Sequence, residues 1–252
     1  MQPQASRLRR WLLRLCVLSM LAAAAGAYLA GWLRLPPRWD PLAPLVVQEP
    51  ANWLTPFKLR RTRADDALCL LTLRDAGLRF SPLPDRAPVK GCGLANAVRL
   101  EAGQRTALSR PTVLSCRAAL SFALWERHGL QPAAQAELGQ HVARIEHLGS
   151  YACRDINTGD GRATGRRSRH ATADALDVSG FTLADGRRIQ LLRDAPRPWD
   201  DATALAREAD ARFLHAAHAG ACRAFDGTLG PGYNSAHRDH FHLEVGGWPL
   251  CR

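Results

Sequence analysis

The feature that most restricts the fold is an alternation near the C-terminus, His240-Phe241-His242-Leu243-Glu244-Val245. Side chains on a strand point alternately to opposite faces, so His240, His242 and Glu244 are expected on one face and Phe241, Leu243 and Val245 on the other. The pattern suits a sheet with one face against a core, and it sets two imidazoles next to each other on the polar face. A second strand-like run, Ala175-Leu176-Asp177-Val178-Ser179, follows the same logic, with Leu176 and Val178 inward and Asp177 on the side of Ala175 and Ser179. It comes shortly after Ser168-Arg169-His170. If the two strands are neighbours, His170, Asp177 and His242 converge as two nitrogens and one oxygen with a position left open. That is the ligand count of a catalytic zinc site, whereas structural sites are usually closed by four ligands, often thiolates. Of the other six histidines, His128, His141, His147, His215 and His218 are expected to be ordinary surface or core residues, and His237, just outside the strand, is a candidate to touch substrate.

Cysteine usage bears on the compartment. One of the seven, Cys16, lies in an apolar N-terminal run, and the other six are Cys69, Cys92, Cys116, Cys153, Cys222 and Cys251. They are even in number, widely spaced and free of any C-x2-C pair, which reads as disulfides behind an export signal and not as a thiolate zinc site. Their connectivity is open from sequence, with Cys222–Cys251 favoured because that bridge would clamp the H-x-H segment on both sides.

The N-terminus supplies the export signal. Arg7, Arg9, Arg10 and Arg14 precede an uncharged run from residue 15 to residue 33. At about 1.5 Å per residue this run spans roughly 28 Å, close to the thickness of a bilayer core. Arginines before the run orient its start to the cytoplasm and leave the rest outside. Small residues at Ala25-Gly26-Ala27 would suit a cleaved signal peptide. The apolar run continues past them through Tyr28, Leu29 and Trp32, which favours an uncleaved single-pass anchor; with cleavage the domain would be secreted. The expected domains are thus a signal anchor or signal peptide at 1–34, a Pro-rich and basic linker at 35–64, and one globular domain at 65–252.

The formal charge of +11 is partly an effect of the N-terminus, since five arginines and no acid lie in residues 1–34 and +6 remains for the exported part. A basic surface suits anionic partners such as lipid headgroups or wall polymers. Nucleic acid is not expected, because no basic helix, stacking platform or nucleic-acid motif is visible and the compartment is wrong.

Local patterns place the scaffold. Residues 65–77 read as a short helix with Leu68, Leu71 and Ala76 inward, and 97–101 as a strand. An apolar helix within 111–129 runs through Ala118, Ala119, Phe122, Ala123 and Trp125 and is stopped by Gly129. Another starts near Pro132 and continues to about Leu148. Residues 158–167, rich in Gly and Arg, read as a loop at the rim of the site. Asp185-Gly186 marks a hairpin. A helix capped by Asp200 or Asp201 runs to about His218 with Leu205, Ala209, Phe213 and Ala217 inward and Gly220 closing it, followed by a loop at 227–236. His215 and His218 are expected on its outer or flanking surface.

These residues also carry a resemblance. Ser168-x-His170-x2-Ala173-x-Ala175-x-Asp177 with His240-x-His242 resembles the S-x-H-x2-G-x-A-x-D and H-x-H signature of the zinc peptidase superfamily of lysostaphin-type enzymes, D-Ala-D-Ala peptidases and hedgehog domains. More closely, Tyr151-Ala152-Cys153-Arg154, Ala175-Leu176-Asp177-Val178-Ser179-Gly180-Phe181 and His237-x2-His240-Phe241-His242-Leu243 are similar to the bacterial extensin-like C-terminal domain family. Two departures are Ala173 where many of the peptidases have Gly, and Arg169 where close relatives often have an acidic residue.

The expectation that follows is an exported α+β domain with a small antiparallel sheet packed with helices, D-Ala-D-Ala peptidase/hedgehog-like in the resemblance. Zn²⁺ is expected on His170, Asp177 and His242, with His240 as base or proton shuttle. The resemblance further implies that Arg154 faces the substrate carbonyl, that Ser168 is a supporting hydrogen-bond partner near His170, and that the reaction is amide hydrolysis in peptidoglycan peptides. Two readings from other classes stand beside it: a non-catalytic zinc-containing wall-binding module, and a metal-free interaction domain.

Overall fold

In a computed structural model the described residues are 3–157 and 164–252, and they form two compact units, Met1–Ala43 and Pro44–Arg252. Within the first unit, helix α1 (Pro3–Leu29) contains a stretch, Arg9–Leu29, that is long and apolar enough to cross a membrane. Such a helix is compatible with a signal sequence or an anchor. Near its end the Tyr28 hydroxyl donates to the Asp40 carboxylate, and Pro37–Trp39, at the start of the expected Pro-rich linker, form a single 3-10 turn.

The second unit begins earlier than the expected 65–252 domain. Leu45, Val47, Leu54 and Leu59 are buried in it, so the later half of the expected linker belongs to the fold. Helix α2 (Thr55–Arg63) is held at its end by Arg63, which donates to the Asp226 carboxylate, to Ser121 Oγ and to the Ala224 carbonyl. Helix α3 (Asp66–Asp75) is capped by Asp65, whose carboxylate accepts from Leu68 N at 2.9 Å. Its inner face is Cys69, Thr72 and Leu73, with Ala76 just beyond it. Leu71 is exposed, contrary to the expectation; the inward stripe is the one that carries Cys69, which is disulfide-bonded to Cys116.

Strands β1 (Arg79–Pro82), β4 (Ala97–Ala102), β5 (Ala107–Ser115), β6 (Val142–Gly149), β7 (Ala175–Leu183), β8 (Arg188–Gln190), β9 (Gly227–Leu229), β10 (Phe241–Glu244) and β11 (Leu250–Cys251) form one sheet, and β2 (Arg86–Val89) with β3 (Cys92–Leu94) a separate hairpin. The order is β1-β4-β5-β6-β7-β10-β9-β11, with β8 paired to β7. Pairing is antiparallel except for β5–β6 and β9–β11. The fold is therefore α+β with a mostly antiparallel sheet, larger than the small sheet expected.

Helix α4 (Cys116–Trp125) does not stop at Gly129. It continues through a π-helical turn, Glu126–Leu130, into α5 (Gln131–Leu138). Gly129 instead permits a close helix crossing: a Cβ there would come within 2.9 Å of Gly220 Cα, and one at Gly220 within 2.6 Å of Gly129 Cα. Gly220 accordingly lies inside α8 (Ala209–Cys222) and does not close it. The expected helix to Leu148 ends ten residues early, at Leu138, where Gly139 adopts the left-handed conformation suited to a helix stop, and 142–149 is strand β6. After the short helix α6 (Leu191–Asp194), the expected 201–218 helix is two: α7 (Ala202–Arg207), capped by Asp201, and α8, separated by extended Glu208. His218 is buried, not on an outer surface.

The core lies between the sheet and α4, α5 and α8. Trp125 is fully buried and its Nε1–H donates to the Ala217 carbonyl at 2.9 Å, satisfying the one polar atom of a large apolar side chain. Phe181 sits between Trp125, Phe213 and Phe241 with ring centroids 5.2 to 6.5 Å apart. Along β7 the inward set changes parity, from Leu176 and Val178 to Phe181 and Leu183. The β6–β7 register accounts for this: Glu146 pairs with Gly180 and the next residue, His147, with Val178, which leaves Ser179 as an extra residue. A bulge of this kind re-aims side chains locally, and Asp177 lies just before it. The three disulfides are Cys69–Cys116, Cys92–Cys153 and Cys222–Cys251, the last as favoured from sequence.

Candidate metal centre

Three segments distant in sequence meet on one face of the sheet. Asp177 is on β7 and His242 on β10, and the antiparallel register makes them direct partners. The alternation predicted for β10 holds, since Phe241, Leu243 and Val245 are fully buried in the core while His242 and Glu244 face away from it. His170 comes from the 3-10 turn Arg169–Thr172. Ser168 caps that turn by accepting from His170 N at 3.3 Å, a supporting hydrogen bond beside His170 that is made to the backbone.

Ala173 ends the turn with φ of 55°, in the left-handed region. Glycine adopts this conformation without the steric cost a Cβ brings, which gives a physical reason for glycine at this place in the resembling pattern. Asp174 then anchors the segment. Its buried carboxylate accepts from Ser115 Oγ at 2.6 Å, Thr172 Oγ1 at 2.6 Å and Arg117 Nε and NH2 at 2.8 and 2.5 Å. Its carbonyl accepts from Val245 N, so the chain bearing His170 and Asp177 is tied directly to the end of the strand bearing His242.

The ligating atoms form a tight triangle. His170 Nε2 is 3.2 Å from Asp177 Oδ1 and 3.2 Å from His242 Nδ1, and His242 Nδ1 is 2.9 Å from Asp177 Oδ1. All three residues are buried. Their outer partners fix the tautomers. His170 Nδ1–H donates to the Ser150 carbonyl at 2.5 Å, because a carbonyl can only accept. His242 Nε2–H donates to Glu244 Oε2 at 2.9 Å. With those protons placed outward, the neutral imidazoles turn lone pairs toward a carboxylate oxygen and toward each other. Three acceptors at this spacing repel unless a cation lies among them. Donor atoms about 2.0–2.1 Å from a tetrahedral ion stand about 3.3 Å apart, so the triangle has the dimensions and the chemistry such an ion needs.

Without a metal the cation is a proton. Burial disfavours charge on His242, yet its bonds to Asp177 and Glu244 outweigh burial and raise it to about 9. Burial likewise opposes ionisation of Asp177, but the hydrogen bonds of His170 and His242 hold its carboxyl far below the usual carboxylate range.

His240 and Arg154 stand at the edge of the triangle. His240 Nδ1 is 2.9 Å from Asp239 Oδ1, so Nδ1 carries the proton and Nε2 presents a lone pair 3.5 Å from Asp177 Oδ1. His240 lies outside the group whose ligating atoms are all within 4.8 Å of one another. Arg154 NH2 is 3.9 Å from Asp177 Oδ2, its NH1 donates to the Asp155 carbonyl at 3.4 Å, and its side chain is 44% exposed. His237 is close as well, with its ring 5.2 Å from that of His240 and 5.7 Å from that of His242. Asn234 Oδ1 accepts from both Ala236 N and His237 Nδ1, so His237 Nε2 is an acceptor. Burial, reinforced by His242 and His240, lowers His237 to about 4. Arg169 points elsewhere and donates to the Gly246 carbonyl.

Several supporting groups were not assigned from sequence. Glu244 had a signal, since it shares a strand face with His242 two residues away, and glycines at 227 and 247 make room for it: a Cβ on either would come within 2.6 or 2.3 Å of its side chain. The Ser150 carbonyl and Asp174 had none. A second cluster, His218 with Cys222 and Cys251, is not an equivalent site, because both sulfurs are in a disulfide and thiolate is the ligating form. The six residues 158–163 of the expected rim loop lie outside the described residues.

A family model described as extensin-like protein C-terminus matches residues 67–252. No curated protein and no solved structure matches the chain.

Proposed function

We propose that this chain, which belongs to the extensin-like protein C-terminus family, is an extracytoplasmic zinc-dependent hydrolase of amide bonds in peptidoglycan peptides, related to the lysostaphin, D-Ala-D-Ala peptidase and hedgehog superfamily. The carrying observation is the buried triangle of His170 Nε2, Asp177 Oδ1 and His242 Nδ1, with protons fixed outward by Ser150 and Glu244. A site of this composition, with three protein donors, fits a catalytic rather than a structural zinc.

Zinc held there supplies Lewis acidity toward oxygen. The remaining work falls to side chains at the edge. His240 Nε2 is the available base: Asp239 keeps the proton on Nδ1, so Nε2 can take a proton from an attacking water and return it to the departing amine. Arg154 offers N–H donors to the oxygen that gains negative charge as the carbonyl becomes tetrahedral, a type of contact worth about 3–4 kcal/mol in the barrier. His237 Nε2, neutral at ordinary pH, can accept a hydrogen bond from a substrate N–H. Three disulfides and an apolar N-terminal helix support work outside the cytoplasm, at the membrane where wall polymers are built.

The test is elemental analysis of the purified chain beside His170→Ala, with turnover measured on purified peptidoglycan. Stoichiometric zinc lost in the variant together with release of peptide amines supports the proposal. Zinc without turnover would leave a wall-binding module, and absence of both an interaction domain.

A further inference from the structure

The outer side of α2 and of the turn before it is apolar and basic together. Leu54, Lys58, Leu59 and Thr62 recur at the three- and four-residue spacing of one helix face and are buried. The opposite side carries Trp53, Pro56, Phe57 and Arg60, all exposed, with Trp53 at 77% and Phe57 at 44%. Trp53 and Phe57 are four residues apart and Arg60 is three further on, so the two rings and the guanidinium lie along one stripe. The stripe is held in place, because the bonds of Arg63 to Asp226, Ser121 and the Ala224 carbonyl fasten the helix to the domain. A cavity of about 300 Å³ adjoins it, lined by Pro56, Leu59, Leu124, Ala224 and the exposed Arg223, whose NH1 donates to the Ala219 carbonyl at 3.1 Å.

Three features indicate what covers this face. The first is charge: between Glu49 and Asp65 the chain has four cations and no acid. Lys58 is buried and Arg63 is paired with Asp226, which leaves Arg60 exposed beside the rings. The second is the combination of residue types. Tryptophan and arginine together suit the boundary between lipid headgroups and chains, where the ring meets apolar matter and the long cation reaches phosphate. The third is chain length. Trp53 follows Leu29, the end of the stretch able to cross a membrane, by 24 residues, a tether of at most roughly 85 Å. Tethering at such range raises the effective concentration of a surface contact to about the millimolar level, so that even a weak one forms.

We propose that this face of α2 docks on a bilayer with anionic headgroups, with Trp53 and Phe57 entering the interface and Arg60 and Arg223 meeting phosphates. Docking fixes the orientation of the domain on the lipid surface. The contact does not involve the metal triangle, so failure of either reading leaves the other standing.

The test uses the full chain with EDTA, reconstituted in vesicles of phosphatidylcholine alone or with phosphatidylglycerol, both containing chain-brominated lipid that quenches tryptophan on contact. Subtracting the spectrum of Trp53→Phe isolates Trp53 from the other tryptophans. Quenching of that signal is expected in the phosphatidylglycerol vesicles, together with protection from aqueous iodide. Arg60→Glu reverses a charge next to the surface, and at roughly fivefold per unit charge the docked-to-free ratio should fall about tenfold or more. Both substitutions are at exposed residues and leave the fold intact. Absence of Trp53 quenching in the phosphatidylglycerol vesicles, equal quenching in the two lipids, or unchanged quenching in Arg60→Glu would overturn the inference. So would a dimer in detergent that shields Trp53, which gives the face to a second copy of the chain.

Discussion

Asp177 and His242 face each other as direct partners across the antiparallel β7–β10 pair, their Oδ1 and Nδ1 atoms 2.9 Å apart. Two groups that a single register holds together, with His170 closing the triangle from a capped turn, form a site that does not have to be assembled by its ligand. Pre-placed donors lower the cost of binding, and the geometry therefore leads to specific expectations.

Glu244→Gln keeps a hydrogen-bond acceptor near His242 Nε2 and removes its charge. Groups in this outer position typically govern metal affinity by 10–100-fold, and zinc affinity is expected to fall by about tenfold, read by competition with a chromogenic chelator. Unchanged affinity would mean that Glu244 plays no part in orienting the ring.

His240→Ala should separate binding from chemistry. Zinc content is expected to stay at the wild-type level, because His240 is not among the three close donors, while hydrolysis falls about 10²–10⁴-fold, the usual loss for a positioned acid-base group. A variant with full zinc and full turnover would remove His240 from the mechanism.

Asp174→Asn loosens the support of the site. The buried carboxylate accepts from Arg117, Ser115 and Thr172, and losing its charge leaves Arg117 without its counter-ion. Because Arg117 is 43% exposed, solvent softens the penalty to about 1–3 kcal/mol, measured by urea denaturation of the metal-free protein.

Acid should destabilise the fold through His218 even without metal. Burial, only partly offset by the bond to the Arg252 carbonyl, lowers His218 to about 4, below the unfolded value of about 6.5. Between those values the unfolded chain binds more protons, so stability is fully present above about pH 6.5 and is lost as pH falls toward 4, by on the order of 3 kcal/mol. Denaturation of wild type and His218→Gln in EDTA at both ends of that window reads the effect, and the variant should show the smaller pH dependence.

Replacing Cys222 and Cys251 together by serine opens a loop closed across 29 residues. Loop entropy of that length is worth about 3.6 kcal/mol. The loss should appear in the urea midpoint, and it bears on β11, which pairs with β9 beside the strand of His242.

Much of the site was legible in the chain because it is written in local periodicity. The alternation through His240 to Val245 could only be satisfied by one face on a core, and Phe241, Leu243 and Val245 are fully buried as that demands. Six even cysteines behind an apolar helix gave disulfides in the same direct way. Periodicity misled where two elements share it: residues 142–148 continue the apolar spacing of α5, yet left-handed Gly139 ends the helix and the segment joins the sheet as β6. Gly129 and Gly220, read as stops, serve contact with each other, and only their partner's position tells the two uses apart.

From sequence alone come the three candidate residues His170, Asp177 and His242, the strand faces of Asp177 and His242, and the oxidised state of the six cysteines, since each follows from residue type and spacing within a few positions. Only the tertiary structure decided that β7 and β10 are neighbours in the register that pairs Asp177 with His242, that Ser150 and Glu244 set the tautomers, and that residues 44–64 belong to the domain. These depend on pairings across tens of residues, where the energy comes from which surfaces meet in space, and no local pattern records that choice.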